Sequence, residues 1–237
     1  MIERPSPNFD ARATAITMIV LHYTGMTTAA AALDHLADPA AKVSAHYVVA
    51  EDGVVVRMVD EAERAWHAGK SFWRGIIDVN SASVGIEIVN PGHEFGYRPF
   101  PEPQMAAVEA LVRDIVRRHA IVPAMVVGHS DIAPARKDDP GELFDWPRLA
   151  AAGLAAPVTA APVTAAGVPS DRVPAAITDP NWSDAGFMQA LGRYGYDVSD
   201  APAAVVAFQR HFRPRDIGGA IDAECRGILL ALLRPDR

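Results

Sequence analysis

Between Ala151 and Pro180 the chain carries Pro157, Pro162, Pro169, Pro174 and Pro180, set among Ala, Val, Thr and Gly, with Ala-Pro-Val-Thr-Ala written twice in tandem from Ala156. Prolines this frequent break helices, and the stretch has too few large apolar groups to build a core. It reads as a semi-extended, mobile tether, with an ordered strap across the main domain as the alternative. The chain therefore has to fold as a unit over residues 1–150, a linker over 151–180 and a small unit over 181–237.

The first unit has the pattern of a mixed sheet flanked by helices. Short runs rich in Val and Ile, Ile16–His22, Ala45–Ala50, Val54–Val59, Val84–Val89 and Ala124–His129, read as strands. Asp52-Gly53 marks a hairpin, so the second and third runs should be antiparallel. Thr27–Leu36 and Glu102–His119 read as helices, the second with Met105, Val108, Leu111, Val112, Ile115 and Val116 along one face. The last run follows this long helix and is expected at a central position. The overall class is α/β with a second, small all-α unit. In that unit Asp184–Tyr194, Ala201–Phe212 and Asp222–Leu233 carry helical spacing, enough for a marginal three-helix core.

Of the 237 residues half are hydrophobic and 22% charged, and the net charge is −7. With no Lys/Arg cluster, nucleic acid and anionic membrane surfaces are poor partners. No run is long enough to span a bilayer, and nothing demands an obligate protein partner. Cys225 stands alone, which excludes an internal disulfide or a Cys-rich metal knuckle. The start, MIERPSPNFDARATA, lacks the apolar stretch of a signal peptide, so the expected compartment is the cytoplasm. A leader missing from the sequence would move it to the periplasm or the cell wall.

The candidate chemistry lies at strand ends, where an open sheet presents its site. His22 ends the first run and His129 the last, and Asp139 follows ten residues later. Two imidazoles and a carboxylate, with one position left for water, form a catalytic zinc set. Taken singly, each histidine reads better as a strand cap held by hydrogen bonding. Lys137, two residues before Asp139, would bring an ammonium to the same place and could hold oxyanion charge. A solvated Arg-Lys-Asp-Asp loop is the plainer alternative. Glu87 sits inside Val84-Gly85-Ile86-Glu87-Ile88-Val89, where an unpaired carboxylate is costly. It is either a general base beside an activated water or half of a buried salt bridge. His46, in mid-strand, suits a histidine that orients a ligand from behind. His67, in Ala-Trp-His-Ala-Gly, suits a cleft wall.

These strings resemble a known family. Leu21-His22-Tyr23-Thr24, Ser44-Ala45-His46-Tyr47, Ala65-Trp66-His67-Ala68-Gly69, Ser83–Glu87, Gly128-His129-Ser130-Asp131-Ile132 and Lys137–Gly141 occur in the order of the zinc-dependent N-acetylmuramoyl-L-alanine amidases of the type 2 amidase and peptidoglycan-recognition superfamily, over about Ile16 to Pro147. The resemblance implies one zinc ion on His22, His129 and Asp139, with Glu87 as catalytic acid/base and Lys137 as oxyanion stabiliser. It also implies Tyr23, Trp66, His67 and Asn90 as substrate contacts, and a muropeptide or peptidoglycan substrate cut between the lactyl group and L-alanine. The rival expectations are a non-catalytic muropeptide receptor and a zinc endopeptidase acting within the stem peptide. Leu191–Tyr196, Val206–Arg210 and Gly219–Asp222 resemble the three-helix peptidoglycan-binding module, with Cys225 where a threonine is expected.

Overall fold

The computed structural model describes residues 1–158 and 182–233. Among these residues eight strands make two sheets. The larger holds β1 (Ile2–Glu3), β3 (Met18–Tyr23), β4 (Tyr47–Val49), β5 (Val55–Arg57), β7 (Ser83–Ile88) and β8 (Val126–Gly128), in the order β1-β5-β4-β7-β3-β8. A two-stranded ribbon pairs β2 (Phe9–Ala11) with β6 (Glu63–Ala65). As the Asp52-Gly53 turn predicts, β4 and β5 are antiparallel, and Gly53 takes φ +85°, which favours glycine. The three strands β4, β7 and β3 run parallel to one another, as does β8 to β3.

Parallel strands buried on both faces read as continuous apolar runs, and β3 is buried from Met18 to His22. Alternation sends Ile19, Leu21, Val84, Ile86 and Ile88 to one face. There they meet the apolar side of the helix Glu102–His119, through Met105, Val108, Leu111, Val112 and Ile115. That helix has the bounds its periodicity predicts. Met18 and Val20 face the other way, together with Val127.

This second face decides the shape of the molecule. Helices α7 (Asp184–Tyr194), α8 (Ala201–Phe212) and α9 (Ala223–Leu233) follow α1 (Ala29–Ala37), α2 (Val79–Ala82), α3 (Gly92–Phe95), α4 (Glu102–His119), α5 (His129–Ile132) and α6 (Trp146–Ala151). Phe187, Leu191, Phe208, Phe212, Ile228 and Leu229 form one apolar cluster with Met18, Val20, Trp73 and Val127. Trp73 is 1% exposed, its ring 5.0 Å from that of Tyr196 and 6.0 Å from that of Tyr194. The helices that the sequence reads as a separate module thus share their core with the sheet.

Two further expectations change. The strand β8 lies at the sheet edge, not at its centre; its residues are buried nonetheless, and Val127 packs in the cluster that the C-terminal helices share. The Ala/Pro stretch begins as packed chain, since Ala151 ends α6 and Leu154, Ala155 and Ala156 are 3–4% exposed. The rest of the expected linker, from residue 159, lies outside the described residues. No helix among the described residues is long and apolar enough to cross a membrane.

Candidate metal centre and active site

In β3 and β7 the parallel register pairs His22 with Glu87 and Val20 with Gly85. Both polar side chains therefore leave the sheet on the same face, beyond the point where Val20 ends the apolar packing. Leu21 pairs with Gly128 of β8, which sets His129, the first residue of α5, beside His22. The chain then loops back so that Ser130 N–H donates to the Asp139 carbonyl at 2.8 Å. His22, His129 and Asp139, far apart in sequence, meet at the floor of a cavity of about 360 Å³ that Tyr23, Trp66, His67, Glu87 and Lys137 also line.

His22 Nδ1 lies 2.9 Å from His129 Nδ1 and 2.9 Å from Asp139 Oδ2, and His129 Nδ1 lies 3.1 Å from the same oxygen. The hydrogen bonds behind these atoms assign their protons. Ser83 Oγ donates to the Val79 carbonyl at 2.6 Å, so it accepts from His67 Nε2–H at 3.1 Å. His67 Nδ1 is then an acceptor, and His22 Nε2–H donates to it at 3.0 Å. His129 Nε2–H donates to the Ala68 carbonyl at 3.1 Å. In neutral rings both Nδ1 atoms are thereby left bare. Burial first, then the neighbouring His129 ring, pushes the His22 imidazolium down to about 4, so this ring is neutral at pH 7. Burial alone would raise the Asp139 carboxyl, but His129 and His22 outweigh it and hold Asp139 well below the usual range. With both rings neutral, three buried acceptors converge with no proton between them to share. A cation satisfies all three at once, and the imidazole–imidazole–carboxylate set fits zinc.

The histidine that stands behind His22 is His67, not His46. His46 accepts from Gly85 N–H at 2.9 Å and lies beside Arg12 and the Glu63 carbonyl, with no hydrogen bond to His22, His129 or Asp139. His67 reads as a cleft wall in sequence, yet both its nitrogens are spent on His22 and Ser83. A glycine inside an apolar strand is the signal that marks this place, because it announces a close approach. A Cβ on Gly85 would sit 2.4 Å from the His67 ring. Gly85→Ala is therefore expected to displace His67 and loosen His22, weakening metal binding about 10- to 100-fold, the usual cost of losing a ligand's hydrogen-bond partner. Titration of the apoprotein with zinc measures it, and wild-type affinity in this variant would refute the relay.

Glu87 opens on the cavity, and its Oε2 is buried with no hydrogen-bond partner. The salt-bridge alternative finds no arginine or lysine bonded to it among the described residues. Burial, then the Asp139 charge, push its carboxyl well above the ordinary range, against a smaller pull from Lys137. Trp66 and Tyr23 are half-buried cavity walls, the Tyr23 hydroxyl 3.0 Å from His93 Nδ1. Asn90 departs from expectation. It is 1% exposed, its amide nitrogen donates to the Arg98 carbonyl and its oxygen accepts from Gly92 N–H, so it shapes the loop after β7 and does not line the cavity.

A mixed sheet whose strand ends gather two imidazoles, a carboxylate and an unpaired glutamate over an open cleft has the make-up of a hydrolase site that could hold a metal ion. The N-acetylmuramoyl-L-alanine amidase family model matches residues 12–142, and the chain belongs to that family. It is 38% identical to the N-acetylmuramoyl-L-alanine amidase AmiD of Escherichia coli strain K12, over 98% of this chain and 90% of that protein. The 1,6-anhydro-N-acetylmuramyl-L-alanine amidase AmpD of Enterobacter cloacae is also 38% identical, over 46% of this chain and 56% of that protein. Among solved structures, AmiD from E. coli in complex with the substrate anhydro-N-acetylmuramic acid-L-Ala-D-gamma-Glu-L-Lys superposes with a TM-score of 0.78 at 36% identity, covering 94% of this chain and 91% of that one. AmpDH3 from Pseudomonas aeruginosa gives 0.79 at 33% identity, covering 97% and 94%.

Proposed function

We propose that this amidase uses one zinc ion, held by His22, His129 and Asp139, to hydrolyse the amide between the lactyl group of (anhydro-)N-acetylmuramic acid and the L-alanine of the stem peptide. The observation that carries the reading is the pairing of three bare, converging acceptors with an unpartnered carboxyl in one cavity. Zinc there supplies Lewis acidity, polarising a carbonyl and making water acidic enough to ionise near neutral pH. Glu87 takes the proton of the attacking water, for which its raised proton affinity suits it, and returns that proton to the alanine nitrogen as the C–N bond breaks. Lys137, on the cavity wall, places an ammonium where the carbonyl oxygen gains charge. Trp66 and Tyr23 offer flat apolar surface to the sugar and peptide.

Mass spectrometry of digested muropeptides tests this reading. The expected products are the muramyl sugar and an intact stem peptide. A cut within the stem would make the chain an endopeptidase, and a bound but uncut muropeptide would make it a receptor.

A further inference from the structure

We infer that the C-terminal helices are a working part of the metal centre, because their side chains fix the loop that carries His129 and Asp139. The inference rests on reading that triad as a zinc site. Asp131, two residues beyond His129, is fully buried and belongs to both units. Its Oδ2 accepts from Gly128 N–H at 2.7 Å and from His211 Nδ1 at 2.7 Å, and its Oδ1 accepts from the Tyr196 hydroxyl at 2.6 Å. Gly128 and Asp131 flank the ligand His129. At the other end of the loop Arg210, 7% exposed, reaches Asp138 at 2.9 Å and Glu142 at 3.5 Å, on either side of Asp139 and its proline. The ring of His211 is itself held, stacked 3.7 Å from that of Trp146 and 4.0 Å from that of Phe212.

A helical unit that served only to grip the cell wall would turn its charged and hydroxyl groups outward. Here Tyr196, Arg210 and His211 of one unit point into the ligand-bearing loop of the other. Without them the buried Asp131 keeps only the Gly128 amide, and a buried carboxylate short of donors is driven to rearrange. Ordering the loop would then fall to the metal, at the expense of its affinity. Tyr196 and Arg210 are positioning residues acting through Asp131 and Asp138.

The test uses the full chain carrying Tyr196→Phe, Arg210→Met or both. Zinc affinity is read by competition with a chromophoric chelator, turnover on a soluble anhydromuropeptide at saturating zinc, and wall binding by pelleting with insoluble peptidoglycan. The double variant is expected to bind zinc about tenfold more weakly, as for other partners behind a metal ligand, and to lose kcat on the soluble substrate at little-changed KM. Arg210→Lys should recover most of the Arg210→Met loss. If the double variant melts below the assay temperature, Tyr196→Phe alone carries the test, with a loss of about threefold for one hydrogen bond. Wild-type zinc affinity and wild-type soluble turnover in the variants would overturn the inference, whatever happens to wall binding. A wild-type chain that binds no zinc would overturn the underlying reading as well, so the two failures are told apart.

Discussion

Glu87→Gln is expected to keep its zinc and lose about 10²- to 10⁴-fold in kcat, the usual contribution of a placed acid/base. The glutamine matches the carboxyl in shape but cannot carry a proton between water and nitrogen. The same variant should make the metal-free protein more stable at neutral pH. Glu87 binds its proton more tightly in the folded chain than in the unfolded one, where its pKa is near 4.5. Below that value the carboxyl is protonated in both states and costs nothing extra. As pH rises above it the unfolded chain releases the proton first, so the folded state loses ground until the native carboxyl ionises too. Glutamine is free of this penalty. Melting curves of the metal-free proteins should therefore coincide near pH 4 and separate by pH 7, with the variant higher. Unchanged turnover in Glu87→Gln would remove Glu87 from the mechanism.

Removing a ligand acts in the opposite sense. His22→Ala should leave the protein with far less than one zinc per chain by elemental analysis, and with no measurable hydrolysis. Wild-type protein stripped by a chelator should also lose stability, because three converging acceptors are then buried without a cation. Zinc at about a thousand times its dissociation constant restores about 4 kcal/mol through mass action. For a chain of this size that is roughly 8–16 °C in Tm. A fully metallated His22→Ala protein would contradict the ligand assignment.

How much of this could be read in advance depends on the range of the interaction concerned. The helix Glu102–His119 was legible to the residue because its periodic face is a local pattern. The convergence of His22, His129 and Asp139 was foreshadowed by two histidines at the ends of apolar runs and by the family resemblance, which added the aspartate. Glu87 stood out because a carboxylate inside an apolar strand is costly to bury. The relay from His22 through His67 to Ser83 was not, since it joins residues 45 and 16 apart in the chain through one close approach at Gly85. Asn90 was misread because it stands next to a catalytic strand, yet its amide turns to its own loop.

The amino-acid order by itself marked the main strands, the helix Glu102–His119 and the three C-terminal helices, and it singled out His22, His129, Asp139 and Glu87 as candidate chemistry. Those properties follow from side-chain type and from periods of two and 3.6, which need no knowledge of distant neighbours. Tertiary structure alone decided that β8 is an edge strand, that the last three helices share the sheet's core, and that Asp131 ties them to His129. Such pairings are chosen by which apolar faces remain to be covered once the sheet has formed, and no local pattern records that choice.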